Sequence, residues 1–177
     1  MEKRIHTIGH STHSIEEFIA LLKAFGIGVL VDIRRYPGSR RYPHFNSAEL
    51  ASALAATGIA YLHMEELGGR RSPRPDSPNS GWRNTSFRGY ADFMETEPFR
   101  LAIKRLEELA SQKSVAIMCS EAVWWSCHRA LVADYLKSRG WEVHHILNSQ
   151  KEQLHPYTSP ARITEEGLTY RAQDELF

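Results

Sequence analysis

A chain of 177 residues with 22 Lys and Arg against 21 Asp and Glu carries a formal charge of only +1, which excludes a strong global field toward nucleic acid or membrane. At 42% hydrophobic and 24% charged it has the composition of one soluble globular domain with a core of its own, expected to span 1–177. No apolar run approaches the ~18 residues of a membrane span, no secretory signal opens the chain, and two cysteines make no disulfide framework. The expectation is therefore a cytoplasmic protein whose thiols are free, metal-bound or catalytic, with no membrane partner.

Short β-branched strands alternate with amphipathic helices. The segment "RIHTIGHS" predicts a strand from Arg4 to Ile8 ending in Gly9, His10 and Ser11. Ser14 caps a helix through "IEEFIALLKAFG", with Glu17 as capping-box partner and Gly26 as its stop. A second strand, Val29 to Ile33, has Asp32, Arg34 and Arg35 at its polar end. The segment "NSAELASALAATG" is a helix capped by Ser47 and stopped at Gly58. A third strand lies near Ile59 to His63. The following "GGRRSPRPDSPNSGWRNTSFRG" is too long for a routine connector and reads as a lid or binding loop.

A helix is expected over Tyr90 to Ser111, with Glu97-Pro98 as a candidate break. The segment "SVAIMC" is the fourth strand, "SCHRALVADYLKSRG" the next helix and "WEVHHIL" the fifth strand. The tail, about 148–177, carries the loop "LHPYTSPARI" and a short edge strand after it. This alternation predicts a single-domain α/β fold, with a mainly parallel central sheet of about five strands flanked by helices. Ligands in such folds collect at the carboxyl ends of the strands.

Polar groups stand where each strand ends. His10 and Ser11 follow the first strand and Asp32 and Arg34 end the second. His63 and Glu65 follow the third, and Cys119, Ser120 and Glu121 follow the fourth. With Ser126 as N-cap, Cys127, His128 and Arg129 form the first turn of a helix, where amide N–H groups and the dipole favour a phosphate or a thiolate. A neighbouring imidazolium, His10 or His128, would activate a cysteine further. The bland alternative is packing, because cysteine is a commonly buried residue and Trp124 and Trp125 suit a loop anchor. The Glu121 carboxylate needs a partner, for which Arg129 is the candidate. A metal held by Cys119, Cys127 and His128 stays open, although C-x7-C-H lacks the usual paired ligand spacing. No glycine-rich phosphate loop is present, so neither ATP hydrolysis nor nicotinamide chemistry is expected and the cofactor is undetermined.

Two basic loops, about 34–46 and 68–89, supply Arg34, Arg35, Arg40, Arg41, Arg70 and Arg71, interleaved with Tyr36, Tyr42 and Trp82. Arginine forks bind phosphates bidentately and stack on rings, so the expected partner is an anionic small molecule or nucleic acid.

The segments "TIGHSTHSIEEFIALLKAFGIGVLVDIRRYPGSRRYPHFN", "LGGRR", "FRGYADFM", "MCSEA", "CHRALVADYL" and "HPYT", in this order along nearly the whole chain, resemble the DUF488 family. The resemblance implies a compact α/β domain and delivers no activity. One departure is Trp124-Trp125 where the family pattern has Pro-Trp. Its motifs carry over onto His10, Ser11, Asp32, Arg34, Ser39, Arg40, Cys119, Glu121, Cys127, His128 and Arg129. The leading functional expectation is a hydrolase- or glycosylase-like enzyme on a nucleotide or nucleic-acid substrate. In it Asp32 or Glu121 is the general base, Arg70 joins the anion-binding groups, and Tyr36, Tyr42, Trp82 or Trp125 stacks on a base. The alternatives are an enzyme in which Cys119 is nucleophile or redox centre, a metal-dependent one, and a non-enzymatic nucleotide or nucleic-acid binder.

Overall fold

A computed structural model describes residues 3–172. Its elements in chain order are β1 (Arg4–Gly9), α1 (Ile15–Ala24), β2 (Val29–Asp32), α2 (Ser47–Ala55), β3 (Ala60–His63), α3 (Thr85–Phe93), α4 (Glu97–Gln112) and β4 (Val115–Cys119). Then come α5 (Arg129–Ser138), β5 (Glu142–Asn148), β6 (Lys151–Leu154), β7 (Arg162–Thr164) and β8 (Gly167–Thr169). The fold is α/β and mostly parallel. Among the described residues the central sheet has six strands in the order β3-β2-β4-β1-β5-β6, only β6 running antiparallel to its neighbour.

Side-chain alternation divides the core into two layers. Val29, Val31, Val115 and Ile117 face α3, α4 and α5, where Tyr90, Phe99, Leu106 and Leu131 are buried. Leu30, Ala116 and Met118 face α1 and α2, meeting Phe18, Leu22, Leu50 and Leu54. With both faces covered, β2 and β4 are buried along their whole length, which is why they read as continuous apolar runs. The helix following β1 covers one face and the helix following β4 the other. Between the carboxyl ends of these paired strands lies the topological switch point of the sheet, where α/β folds open a crevice.

Several boundaries differ from expectation. Ser14 does cap α1, its hydroxyl accepting from Glu17 N at 3.1 Å, but α2 starts at Ser47 with Asn46 as the capping residue. The helix expected over Tyr90 to Ser111 is broken, but at Met94–Thr96, just before the Glu97-Pro98 candidate. Pro98 sits in the first turn of α4, where its missing N–H costs nothing, rather than breaking a helix. The edge strand of the tail is β6, before rather than after the "HPYT" loop, and β7 and β8 form a separate hairpin. The long glycine- and proline-rich stretch is pinned by Asp92. That carboxylate accepts from Arg74 N at 2.8 Å, Ser77 Oγ at 2.6 Å and Asn79 Nδ2 at 2.7 Å. Among the described residues no helix is long and apolar enough to cross a membrane.

Candidate active site

The register of β1 on β4 continues past the sheet. Gly9 lies opposite Cys119, His10 N donates to Cys119 O at 3.0 Å and Ser11 N to Ser120 O at 2.9 Å. A Cβ on Gly9 would stand 1.7 Å from Glu121 O, so glycine alone lets the two strand ends pass this closely. Above them opens a crevice of about 660 Å³. Ser11 (φ 49°) and Arg70 (φ 59°) are the two non-glycine residues with positive φ among those described, and both line it. Backbone held in that region costs energy and concentrates at working sites.

Cys119 and Cys127 meet in this crevice, with Sγ···Sγ 2.6 Å. Both are free thiols, Cys119 buried and Cys127 half-buried. Beneath them lies Arg129, 1% exposed. Its Nη2 donates to the main-chain oxygens of Glu121 (3.1 Å) and Ala122 (3.5 Å), its Nη1 to Thr7 Oγ1 (3.3 Å), and its buried Nε has no hydrogen-bond partner. No carboxylate pairs with it among the described residues. A buried cation lacking a counter-ion favours any group nearby that can become an anion. Burial alone raises the Cys119 thiol, but the Cys127 hydrogen bond and the Arg129 charge outweigh it and bring Cys119 below its ordinary range. Burial and the hydrogen bond to Cys119 push Cys127 well above its own. Of the two thiols, Cys119 is thus the one that ionises first and Cys127 the one that keeps its proton.

The cation beside the thiols is Arg129 and neither His10 nor His128. Burial lowers both imidazoles to a pKa of about 4, leaving them neutral near pH 7. His10 stacks on Phe45 with ring centroids 4.3 Å apart and its Nδ1 lies 2.9 Å from Ser11 O, which fixes the Nδ1–H tautomer and leaves Nε2 as a lone pair. The Nε2 of His128 lies 2.8 Å from Ile33 O. That contact turns His128 away from the metal set considered with Cys119 and Cys127. Among the described residues no group of three or more His, Cys, Asp or Glu side chains is placed to hold a metal. The helix also begins later than expected. Ser126 ends a short 3-10 turn, Cys127 is extended, and α5 starts at Arg129.

The two carboxylates considered as general bases are placed differently. Asp32 is fully buried and engaged by Arg34 Nε (2.9 Å), Arg34 Nη2 (2.7 Å), Arg34 N (3.0 Å) and Tyr61 OH (2.6 Å). It holds Arg34, which lines the crevice, and does not itself face it. Glu121 lies exposed on the rim, and Arg129 binds its main-chain oxygen rather than its carboxylate.

The cationic wall is built by Arg34, Arg35, Arg41 and Arg70. Arg40, expected here, is exposed outside the crevice, and its neighbour Arg41 takes the place because the Ser39 hydroxyl accepts from the Arg41 and Tyr42 amides at 3.1 Å each and turns the loop inward. Tyr36, 61% exposed, lies under both Arg35 and Arg70, each guanidinium 5.6 Å from the ring centroid. Tyr42 also lines the crevice. The other two stacking candidates lie elsewhere. Trp82 packs against Phe87 (5.0 Å) and Tyr170 (5.6 Å) beside the core, and Trp125 is exposed outside the crevice. Its neighbour Trp124 is the anchor, stacked on His145 at 4.8 Å and 5°. The sequence singled out neither Thr7, Asp134, His145 nor His155, although paired histidines in a buried strand were a visible signal.

A model of the family described as Domain of unknown function DUF488 matches residues 14–136. No curated protein and no solved structure matches the chain.

Proposed function

The chain belongs to the DUF488 family of domains of unknown function, and from its crevice we propose a thiol-dependent enzyme that reduces an anionic substrate through Cys119 and Cys127. The observation that carries this reading is the contact of the two thiols above a buried, carboxylate-free guanidinium. A separation of 2.6 Å is about half an ångström from disulfide bonding distance.

The step balances within the pair. The Cys119 thiolate attacks an electrophilic atom X of a substrate X–Y, forming Cys119 S–X while Y leaves with the Cys127 proton as HY. The Cys127 thiolate so created attacks Cys119 Sγ, closing the disulfide and releasing X as an anion with the electron pair of the S–X bond. Two protein thiols are oxidised, X–Y takes up two electrons, and an external thiol or dithiol restores the pair. Arg34, Arg35, Arg41 and Arg70 hold the anionic part of X–Y.

This reading takes the thiol alternative over the carboxylate hydrolase because Asp32 is occupied inside the protein. Tyr36, exposed beside two guanidinium groups, favours a substrate with a flat ring as well as a charge, as a nucleotide has.

The test uses a dicarboxylate aryl disulfide as X–Y and a neutral dipyridyl disulfide as control. The reduced protein releases two equivalents of aryl thiol and gains a Cys119–Cys127 crosslink seen in peptide mass spectra. Cys127→Ser stops at a mixed disulfide on Cys119, and Cys119→Ser releases little. A Cys119→Ser protein that reacts like the wild type refutes the proposal, as does a preference for the neutral disulfide.

A further inference from the structure

Arg129 and Asp134 are opposite charges on α5, buried at 1% and 0% exposure, and they do not touch. Side chains from three other segments join them. Arg129 Nη1 donates to Thr7 Oγ1 at 3.3 Å, Thr7 Oγ1 lies 2.5 Å from His145 Nδ1, His145 Nε2 lies 2.8 Å from His155 Nδ1, and His155 Nε2 lies 2.8 Å from Asp134 Oδ1. Thr7, His145 and His155 are each at most 1% exposed, so water supplies no alternative partners.

The direction of every bond in this chain follows from its ends. Arg129 only donates and the Asp134 carboxylate only accepts, so with one proton on each imidazole the Thr7 hydroxyl donates to His145 Nδ1. His145 is then the Nε2–H tautomer and donates to His155 Nδ1. His155 in turn carries its proton on Nε2 and donates to the Asp134 carboxylate, which also accepts from Thr158 N, Thr158 Oγ1 and Tyr170 OH. Four hydrogen bonds thus run head to tail from a cation to an anion, each polarising the next. Trp124, stacked on His145, clamps the middle.

We infer that Asp134 is a positioning residue for the thiol site, acting through His155, His145 and Thr7 to hold the Arg129 guanidinium beneath Cys119. The inference rests on the thiol reading of the crevice, and gives the parts outside it a role there. The relay takes up Nη1, which leaves Nη2 on the carbonyls of the Glu121–Ala122 loop and Nε without a hydrogen-bond partner. Without the relay the guanidinium can rotate off that loop, and the carboxylate at the far end no longer orients it. Asp134 lies 21 and 36 residues from two of its own partners, His155 and Tyr170, so the relay also ties the tail to the site.

The decisive variants are at Thr7, the link whose hydroxyl can be removed with little change of shape. Carbamidomethylation of Cys119 by iodoacetamide at pH 7, read by peptide mass spectrometry, is expected to slow about tenfold in Thr7→Val, the effect of one unit in thiol pKa. Thr7→Ser, which keeps the hydroxyl, is expected to stay within about twofold of the wild type. Asp134→Asn is expected to move the rate in the same direction as Thr7→Val. Equal rates in Thr7→Val and wild type overturn the inference, and so does an equal slowing in Thr7→Ser, which marks lost packing. A measurement on the unaltered protein is independent of whether variants fold. Nitrogen-15 NMR of the histidine rings should find His145 and His155 protonated on Nε2, and an Nδ1–H tautomer at either overturns the relay. The readout is alkylation rather than substrate turnover, so the thiol reading itself stands or falls separately on Cys119→Ser.

Discussion

Replacing Asp32 by asparagine separates a positioning carboxylate from a catalytic one. The Asp32 side chain is 0% and that of Arg34 9% exposed, and the pair is joined by two charge-assisted bonds of 2.9 and 2.7 Å, with Tyr61 OH donating a third at 2.6 Å. The asparagine keeps the shape but loses the charge and one acceptor, stranding a buried guanidinium whose other contact is Phe45 O at 2.7 Å. Breaking one side of such a pair costs about 3–5 kcal/mol. For a chain of this size each kcal/mol lowers Tm by about 2–4 °C, so a loss of roughly 6–20 °C is expected. Removing both charges, in Asp32→Asn with Arg34→Met, is expected to recover most of that loss, because no charge is left unpaired. The assay is urea or thermal unfolding followed by circular dichroism, with turnover of the dicarboxylate disulfide measured on each protein. An Asp32→Asn protein as stable as the wild type but inactive would refute the positioning role and restore Asp32 as a base. A double variant less stable than Asp32→Asn alone would refute the pairing argument.

Burial of His10 and His128 gives a pH dependence with a definite sign. Each has a folded pKa of about 4 against an ordinary 6.5, so below pH 6.5 the unfolded chain binds protons that the folded one does not. Stability is fully present above about 6.5 and falls as pH drops toward 4, by up to about 1.4 kcal/mol per pH unit for each histidine. Urea unfolding between pH 7 and 4 checks this, and His10→Gln should flatten the slope; a profile unchanged by that substitution counts against it. Ligand binding should separate the aromatic residues. Tyr36→Ala is expected to weaken binding of a nucleoside monophosphate by about 1–3 kcal/mol in calorimetry, the worth of one stacked ring, while Trp82→Phe leaves affinity unchanged. Equal losses in both would place the ring site elsewhere.

The sequence by itself determined the five parallel strands, their alternation with helices and the gathering of polar groups at the carboxyl end of the sheet. Those follow from local periodicity, from the Ser14–Glu17 capping box, and from apolar runs such as "VAIMC" that suit only strands covered on both faces. It also marked His10, Ser11, Arg34, Cys119 and Cys127, each standing where a strand or loop leaves the core. The surroundings of each side chain were decided only by tertiary structure. Asp32 reads as a candidate base until Arg34 and Tyr61 occupy both its oxygens, and Arg40 and Arg41 cannot be told apart until Ser39 turns their loop. Likewise the charge beside the thiols is that of Arg129 and of neither histidine, because burial suppresses an imidazolium but not a guanidinium, whose proton is held far more tightly. The relay lies beyond local pattern altogether: Thr7, Asp134, His145 and His155 come from four segments, and a hydrogen bond is set by positions within a few tenths of an ångström that only the packed sheet supplies.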